Sequence, residues 1–119
     1  MQTRYATSGN GLAWRWRGTA LSGRPGAWDA RGARVTAVLP DGRAAYDGRA
    51  TKEENFSERT GLAIPGDRPG ALVAAGDGPV AGMRYLDAVP VAGGYRLYYE
   101  APLEDGSHEL RTAFVPTQP

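Results

Sequence analysis

The sequence predicts an all-β fold, and three observations lead there. Turn-forming dipeptides that contain Gly recur along the chain, short runs of strand-forming residues lie between them, and no window of eleven or more residues sustains a 3.6-residue apolar period. The dipeptides are Asn10-Gly11, Asp41-Gly42, Asp47-Gly48, Asp77-Gly78, Gly93-Gly94 and Asp105-Gly106, pairs that supply the positive φ of tight hairpin turns. From the amino terminus, the first run is Ala13-Trp14-Arg15-Trp16-Arg17. Its strict alternation places both indoles on one face and both guanidiniums on the other, and packing between neighbouring sheets is expected of the indoles. Next come Arg34-Val35-Thr36-Ala37-Val38-Leu39 and, later, Ala71-Leu72-Val73. Between them Thr51 and Glu54 have the spacing of a capping box, read as a turn or short loop within a hairpin because Gly48 and Gly61 bracket it. Tyr85-Leu86-Asp87-Ala88-Val89 and Tyr95-Arg96-Leu97-Tyr98-Tyr99 complete the set, for eight or nine short strands in all.

An internal repeat selects the all-β architecture. The segment 40–47 laid over 92–100 pairs Tyr46 with Tyr99 and Asp47 with Glu100, an offset of 53. A second alignment occurs three times: Ala6-Thr7-Ser8, Ala63-Ile64-Pro65 and Phe114-Val115-Pro116, at offsets of 57 and 51, each ending a strand. A period near 50 residues fits one blade of a β-propeller, with four antiparallel strands per blade. In that frame residues 3–21 are the end of one blade, 28–76 a full blade and 83–116 a partial one. Roughly two blades per chain leave unpaired strand edges, so completion by oligomerisation with further copies is expected.

Composition narrows the function classes. The chain has 119 residues, no cysteine and 14 Lys+Arg against 13 Asp+Glu. Without cysteine there is no disulfide framework, thiolate metal site or Cys nucleophile. Thirteen of the 14 basic residues are Arg, read as scattered among acids, which argues against a nucleic-acid partner. No apolar run approaches the length of a membrane span, so no membrane partner is expected. Met1-Gln2-Thr3-Arg4-Tyr5 opens without an apolar stretch, so no signal peptide and a cytoplasmic location are expected. Val, Ile, Leu and Phe total only 19, yet the near-zero charge, three Trp and six Tyr favour a folded chain over a disordered one.

Several segments resemble a known family. Trp28-Asp29-Ala30-Arg31-Gly32-Ala33-Arg34-Val35, Tyr46-Asp47-Gly48-Arg49-Ala50 and Glu54-Asn55-Phe56-Ser57-Glu58-Arg59-Thr60-Gly61 resemble blades of five-bladed propellers of the invertase/arabinanase glycoside hydrolase type. Ala6-Thr7-Ser8-Gly9-Asn10-Gly11-Leu12-Ala13-Trp14 is similar to a recurrent hairpin of those blades, with Asn10 where Asp is usual, and Arg84-Tyr85-Leu86-Asp87 with Tyr98-Tyr99-Glu100 continues the pattern. The resemblance implies a glycan or other small-molecule ligand and carboxylates around a central channel, one acting as general acid and another as base or nucleophile. It assigns Asp29 and Asp87 as the catalytic pair and Arg31, Trp28, Arg84 and Glu100 as substrate-binding residues. It implies no cofactor and no metal.

Each residue also has a structural reading. Asp29 at the end of a loop accepts backbone N–H bonds or pairs with Arg31, and Asp87 ties its strand to a neighbour through Arg84 or Arg31. Tyr46 and Tyr99, equivalent in the repeat, read as packing residues. The lone His108 lies in the turn region 104–109, too isolated for a zinc site. Neither a G-x-S-x-G elbow nor a Gly-rich phosphate loop is present. Two functions follow: a carbohydrate-binding and possible hydrolytic propeller fragment, or a non-catalytic propeller scaffold or self-assembly module.

Overall fold

A computed structural model describes residues 1–117 and shows an all-β chain of three antiparallel sheets, with nine strands among the described residues. Strands β1 (Thr3–Thr7) and β2 (Arg15–Leu21) form a two-stranded sheet. Strands β3 (Gly32–Val38), β4 (Ala44–Arg49), β5 (Arg59–Pro65) and β6 (Leu72–Ala75) form a four-stranded sheet in chain order. Strands β7 (Arg84–Val91), β8 (Gly94–Pro102) and β9 (His108–Pro116) form the third.

The turn chemistry explains most of the connections. Gly42, Gly93 and Gly106 have φ of 90°, 81° and 88° and sit where β3 meets β4, β7 meets β8 and β8 meets β9. Side chains at these three sites would be strained by the backbone alone. Between β4 and β5 the segment Lys52–Glu54 forms a single 3₁₀ turn. Glu54 Oε1 accepts from the Ala50 and Thr51 amides at 2.6 and 3.3 Å, within the Thr51–Glu54 capping box that the spacing suggested.

Two expected hairpin turns are not hairpins, and Asp77-Gly78 is the first: it lies in the crossing from β6 to β7 of the next sheet, and Gly78 has no positive φ. The second, Asp47-Gly48, lies inside β4, where Gly48 pairs with Ala33 on one side and Arg59 on the other. Glycine is required there by a neighbour, since a Cβ on Gly48 would stand 2.6 Å from Cζ3 of Trp28. Gly61 on β5 plays the same part beneath the ring of Tyr46. Trp14 and Trp16 also depart from expectation: Trp14 precedes β2, and the two side chains are 62% and 75% exposed instead of packed between sheets.

The sheets lie against one another through cores that are rich in alanine. Leu21, Ala33, Ala44, Tyr46 and Ala63 fill the space between the first and second sheets, and Ala37, Ala45 and Leu86 the space between the second and third. A Thr at the head of a strand fastens each junction. Thr3 Oγ1 accepts from the Val35 amide at 2.8 Å and donates to the Ala33 carbonyl at 3.0 Å. Thr60 Oγ1 accepts from the Met83 amide at 2.8 Å and donates to the Met83 carbonyl at 3.0 Å. The two threonines are 57 residues apart, the same offset that relates Ala6 to Ala63. At this pair of positions the sequence repeat coincides with a repeated inter-sheet contact.

Gly48→Ala and Gly61→Ala each force an aromatic ring out of a packed junction and are expected to lower unfolding stability by roughly 1–3 kcal/mol. Gly78→Ala, with open space around it and no positive φ, is the control and should be neutral to within about 0.5 kcal/mol. Urea denaturation midpoints compare the three.

Candidate functional site

Three clusters of Arg and carboxylate are built where the sheets meet. The first surrounds Asp29, which lies in the connection between β2 and β3 and is wholly buried. Arg24 Nε donates to both Asp29 oxygens at 3.1 Å, and the Tyr46 hydroxyl on β4 donates to Oδ2 at 2.7 Å. Arg24 also donates to the Gly76 carbonyl, so this one guanidinium ties the connection to the end of β6. Burial pushes the Tyr46 hydroxyl well above its usual pKa, and the bond to Asp29 pushes it further the same way. Trp28 stacks on Tyr46 with ring centres 5.7 Å apart and planes at 22°, and the Arg59 guanidinium lies 5.6 Å from the Trp28 ring.

The second cluster is a cross-strand rung. Arg34 and Asp47 are register partners on β3 and β4 and pair at 2.7 Å. Asp47 also accepts from the Tyr85 amide of the third sheet at 3.2 Å, while the Arg34 guanidinium covers the Tyr85 ring at 4.2 Å. Burial drives the Asp47 pKa up and outweighs the opposing bonds from Arg34 and the Tyr85 amide. Burial is the largest single influence on Arg34 and opposes its charge, but the hydrogen bond to Asp47 and the attraction of the surrounding negative groups together raise its pKa.

The third cluster centres on Arg84, which is buried. Its Nε pairs with Glu58 Oε1 at 2.5 Å and its Nη1 with Glu100 Oε1 at 2.6 Å, while Arg49 approaches the other oxygen of Glu58 at 3.9 Å. Arg84 and Glu100 are register partners on β7 and β8, as Arg34 and Asp47 are on β3 and β4. The guanidinium lies 4.4 Å from the Tyr85 ring and 5.4 Å from that of Phe56. Tyr85 and Phe56 are the two non-Gly residues with positive φ among the described residues, at 55° and 75°. Backbone strain of this kind persists only where surrounding contacts over-determine it, and here the ion cluster does so. Burial is the largest influence on the Glu58 carboxyl and would raise it, but the bond and charge of Arg84 and the backbone amides of Glu58 and Phe56 together outweigh it and hold the pKa below the usual range.

The sequence-derived site residues divide accordingly. Arg84 and Glu100 come together in the third cluster, and Trp28 and Asp29 gather around Tyr46. Asp87 is exposed on β7 opposite Tyr98, with no ion pair or side-chain hydrogen bond among the described residues. Arg31 is exposed as well, and its carbonyl receives the amino terminus at 3.2 Å. Two anticipated pairings are replaced: Asp29 is held by Arg24 instead of Arg31, and Arg84 binds Glu58 and Glu100 instead of Asp87. His108 is the first residue of β9 and not part of the turn. Sequence reasoning passed over Arg24 and the ion-pairing of Glu58. Arg84 and Glu58 are 26 residues apart and meet only through sheet stacking, so no local pattern marks them. The Arg34–Asp47 rung was half visible, since the repeat had already paired Asp47 with Glu100.

Among the described residues no group of three or more His, Asp or Glu is placed to hold a metal ion. Comparison of the chain with protein-family models and with curated proteins finds no match.

The carboxylate shifts have opposite signs with pH. An unfolded Glu titrates near about 4.3, and the folded pKa of Glu58 lies below that, so its stabilisation is present above about pH 4.3 and lost as pH falls through the folded value. The raised pKa of Asp47 acts the other way, because acid relieves the cost of burying its charge. Glu58→Gln is therefore expected to lower the melting temperature at neutral pH and to shrink the further drop between roughly pH 5 and 2. An acid-induced drop as large as that of the parent chain would show that Glu58 is not the responsible group.

Proposed function

We propose that the chain is a non-catalytic scaffold of β-propeller type, an arc of stacked blades whose buried carboxylates fasten one sheet to the next. The observation that carries this reading is the occupancy of those carboxylates. Asp29, Asp47 and Glu58 are each buried and each already satisfied by an Arg and at least one further hydrogen bond. A general acid or nucleophile must present a free oxygen to its substrate, and these three present theirs to the protein. The order of sheets, each a meander in chain order, and the recurrence of the Thr fastener and the Arg–acid rung at blade-like spacing support the propeller arrangement.

A carbohydrate-binding or hydrolytic reading has one observation in its favour, the exposed and unpaired Asp87 on the first strand of the third sheet. Arg84 and Glu100, the companions the resemblance assigns to it, are turned to each other and to Glu58.

Asp29→Asn leaves Arg24 and Tyr46 poorly matched and is expected to cost about 1.5–3 kcal/mol of stability. Asp87→Asn, on an exposed position, should change stability by less than about 0.5 kcal/mol. A panel of aryl glycosides and a glycan array should give neither turnover nor binding. Turnover that disappears in Asp87→Asn would refute the scaffold and establish a hydrolase.

A further inference from the structure

The two outer sheets of the arc differ in charge and leave apolar faces uncovered. The first 28 residues carry four Arg and no acid, whereas residues 84–116 carry three Arg and five acids. The arginines are thus less evenly dispersed than the overall composition suggests. On the first sheet Tyr5 packs toward the second sheet, its ring beside Gly70. Ala6 is therefore on the opposite face, and its register partner Trp16 shares that face. Trp16, Trp14 and Leu12 are 75%, 62% and 86% exposed.

On the third sheet Leu86, Ala88 and Leu97 pack toward the second sheet. The alternate residues Asp87, Val89, Tyr98 and Phe114 form the outer face, and all four are exposed. This outer face is not a copy of the inner junction. After the bulge on β3, the rung Ala37–Ala45 receives Leu86 in the second core, while the corresponding rung after the bulge on β7 is Asp87–Tyr98. A sheet stacked there in the internal manner would set an aliphatic side chain on a carboxylate. An occupant with aromatic and cationic groups suits the face instead.

The amount of open surface matches one interface. The chain exposes 7554 Å², against about 6,200 Å² for a compact monomer of this mass, an excess of roughly 1,350 Å². Its radius of gyration is 15.0 Å, against about 13.5 Å for a compact chain of this length. In a head-to-tail assembly each copy contributes two patches, so that excess corresponds to one interface of about 1,350 Å² per chain, within the standard range.

We propose that the outer face of the β7–β9 sheet docks on the β1–β2 sheet of a second copy, head to tail, with Trp16 and Trp14 seated against Tyr98, Phe114 and Val89 and Arg4, the β1–β2 arginine on the Trp16 face, near Asp87. The proposal rests on the reading of the chain as a scaffold of stacked sheets. The two patches differ, so the contact is heterologous, and a fixed rotation per copy closes it into a ring. Buried Trp at the centre of such a patch is the usual carrier of binding energy.

The test is mass in solution, by light scattering and native mass spectrometry at about 50 μM, where interfaces of this size are populated. The parent chain is expected at an integral multiple of 12.6 kDa. Trp16→Glu and Phe114→Glu should each return a folded single chain, because each destroys one of the two patches. Mixed together, the two variants retain one good patch each and should form a one-to-one pair that grows no further. The pair also shows that both variants are folded. A parent chain at single-chain mass overturns the proposal, as does either variant assembling like the parent. A single chain that instead binds a single-stranded oligonucleotide through Trp16 overturns it in favour of a nucleic-acid surface. Loss of the docking contact leaves the scaffold reading standing, and only glycoside turnover that depends on Asp87 removes that reading, so the two failures are separate results.

Discussion

The buried guanidinium of Arg84 is the constraint on which the junction between the second and third sheets depends. It is held on one side by Glu58 from the connection before β5 and on the other by Glu100 from β8, and it is covered by Tyr85 and Phe56. A charge in such a place is tolerated when it is paired with opposite charge in good hydrogen-bond geometry. That requirement fixes several things together: the register of β7 on β8, the approach of β7 to the loop at Glu58, and the positive φ of both Tyr85 and Phe56. Tyr85 in turn presents its amide to Asp47 and its ring to Arg34, so the second cluster is positioned by the third.

Polar fasteners are prominent because the apolar cores are thin. Seven of the ten buried hydrophobic residues are alanine. Alanine lets sheets approach closely but buries little surface, and apolar stabilisation scales with buried area at about 25 cal/mol per Å². A shortage of large aliphatic residues was visible in the composition, and its structural counterpart is this reliance on Thr3, Thr60 and the three Arg–carboxylate clusters for junction specificity.

Features encoded within a few residues were legible in the sequence, and features encoded between sheets were not. Gly42, Gly93 and Gly106 announced hairpins because positive φ is a local requirement, and the strand-forming runs at 85–89 and 95–99 marked β7 and β8 because strand propensity is local as well. Asp47-Gly48 looked like another hairpin, yet Gly48 is demanded by the Trp28 ring from a different part of the chain. The Trp14 to Arg17 alternation was correctly two-faced, but alternation cannot say whether a face is covered, and among the described residues both indoles stay largely exposed. Of the candidate site, Asp29, Arg84 and Glu100 were singled out as chemistry-bearing residues, and they are indeed where charge is concentrated. What their pattern did not carry was the partner of each, because Arg24 meets Asp29 through a loop closure and Glu58 meets Arg84 across a sheet junction.

The fasteners also have a direction. Thr3 reaches from the first sheet to the backbone of β3, Thr60 and Glu58 reach from the second sheet to β7, and Asp47 reaches from β4 to the Tyr85 amide. In these four contacts side-chain oxygens from the earlier sheet or its connections engage the first strand of the later one or the residue just before it, whose backbone amide or guanidinium donates in return, whereas the Asp29 cluster engages β4 and the end of β6. A stack built this way has unlike ends: the first sheet displays the side that would receive a predecessor, and the third displays the side that would receive a successor. Glu100, at the repeat position of Asp47, keeps 32% of its side chain exposed on that terminal sheet, whereas Asp47 is wholly enclosed by the sheet that follows it. The difference between these two repeat-equivalent carboxylates comes from having a neighbouring sheet.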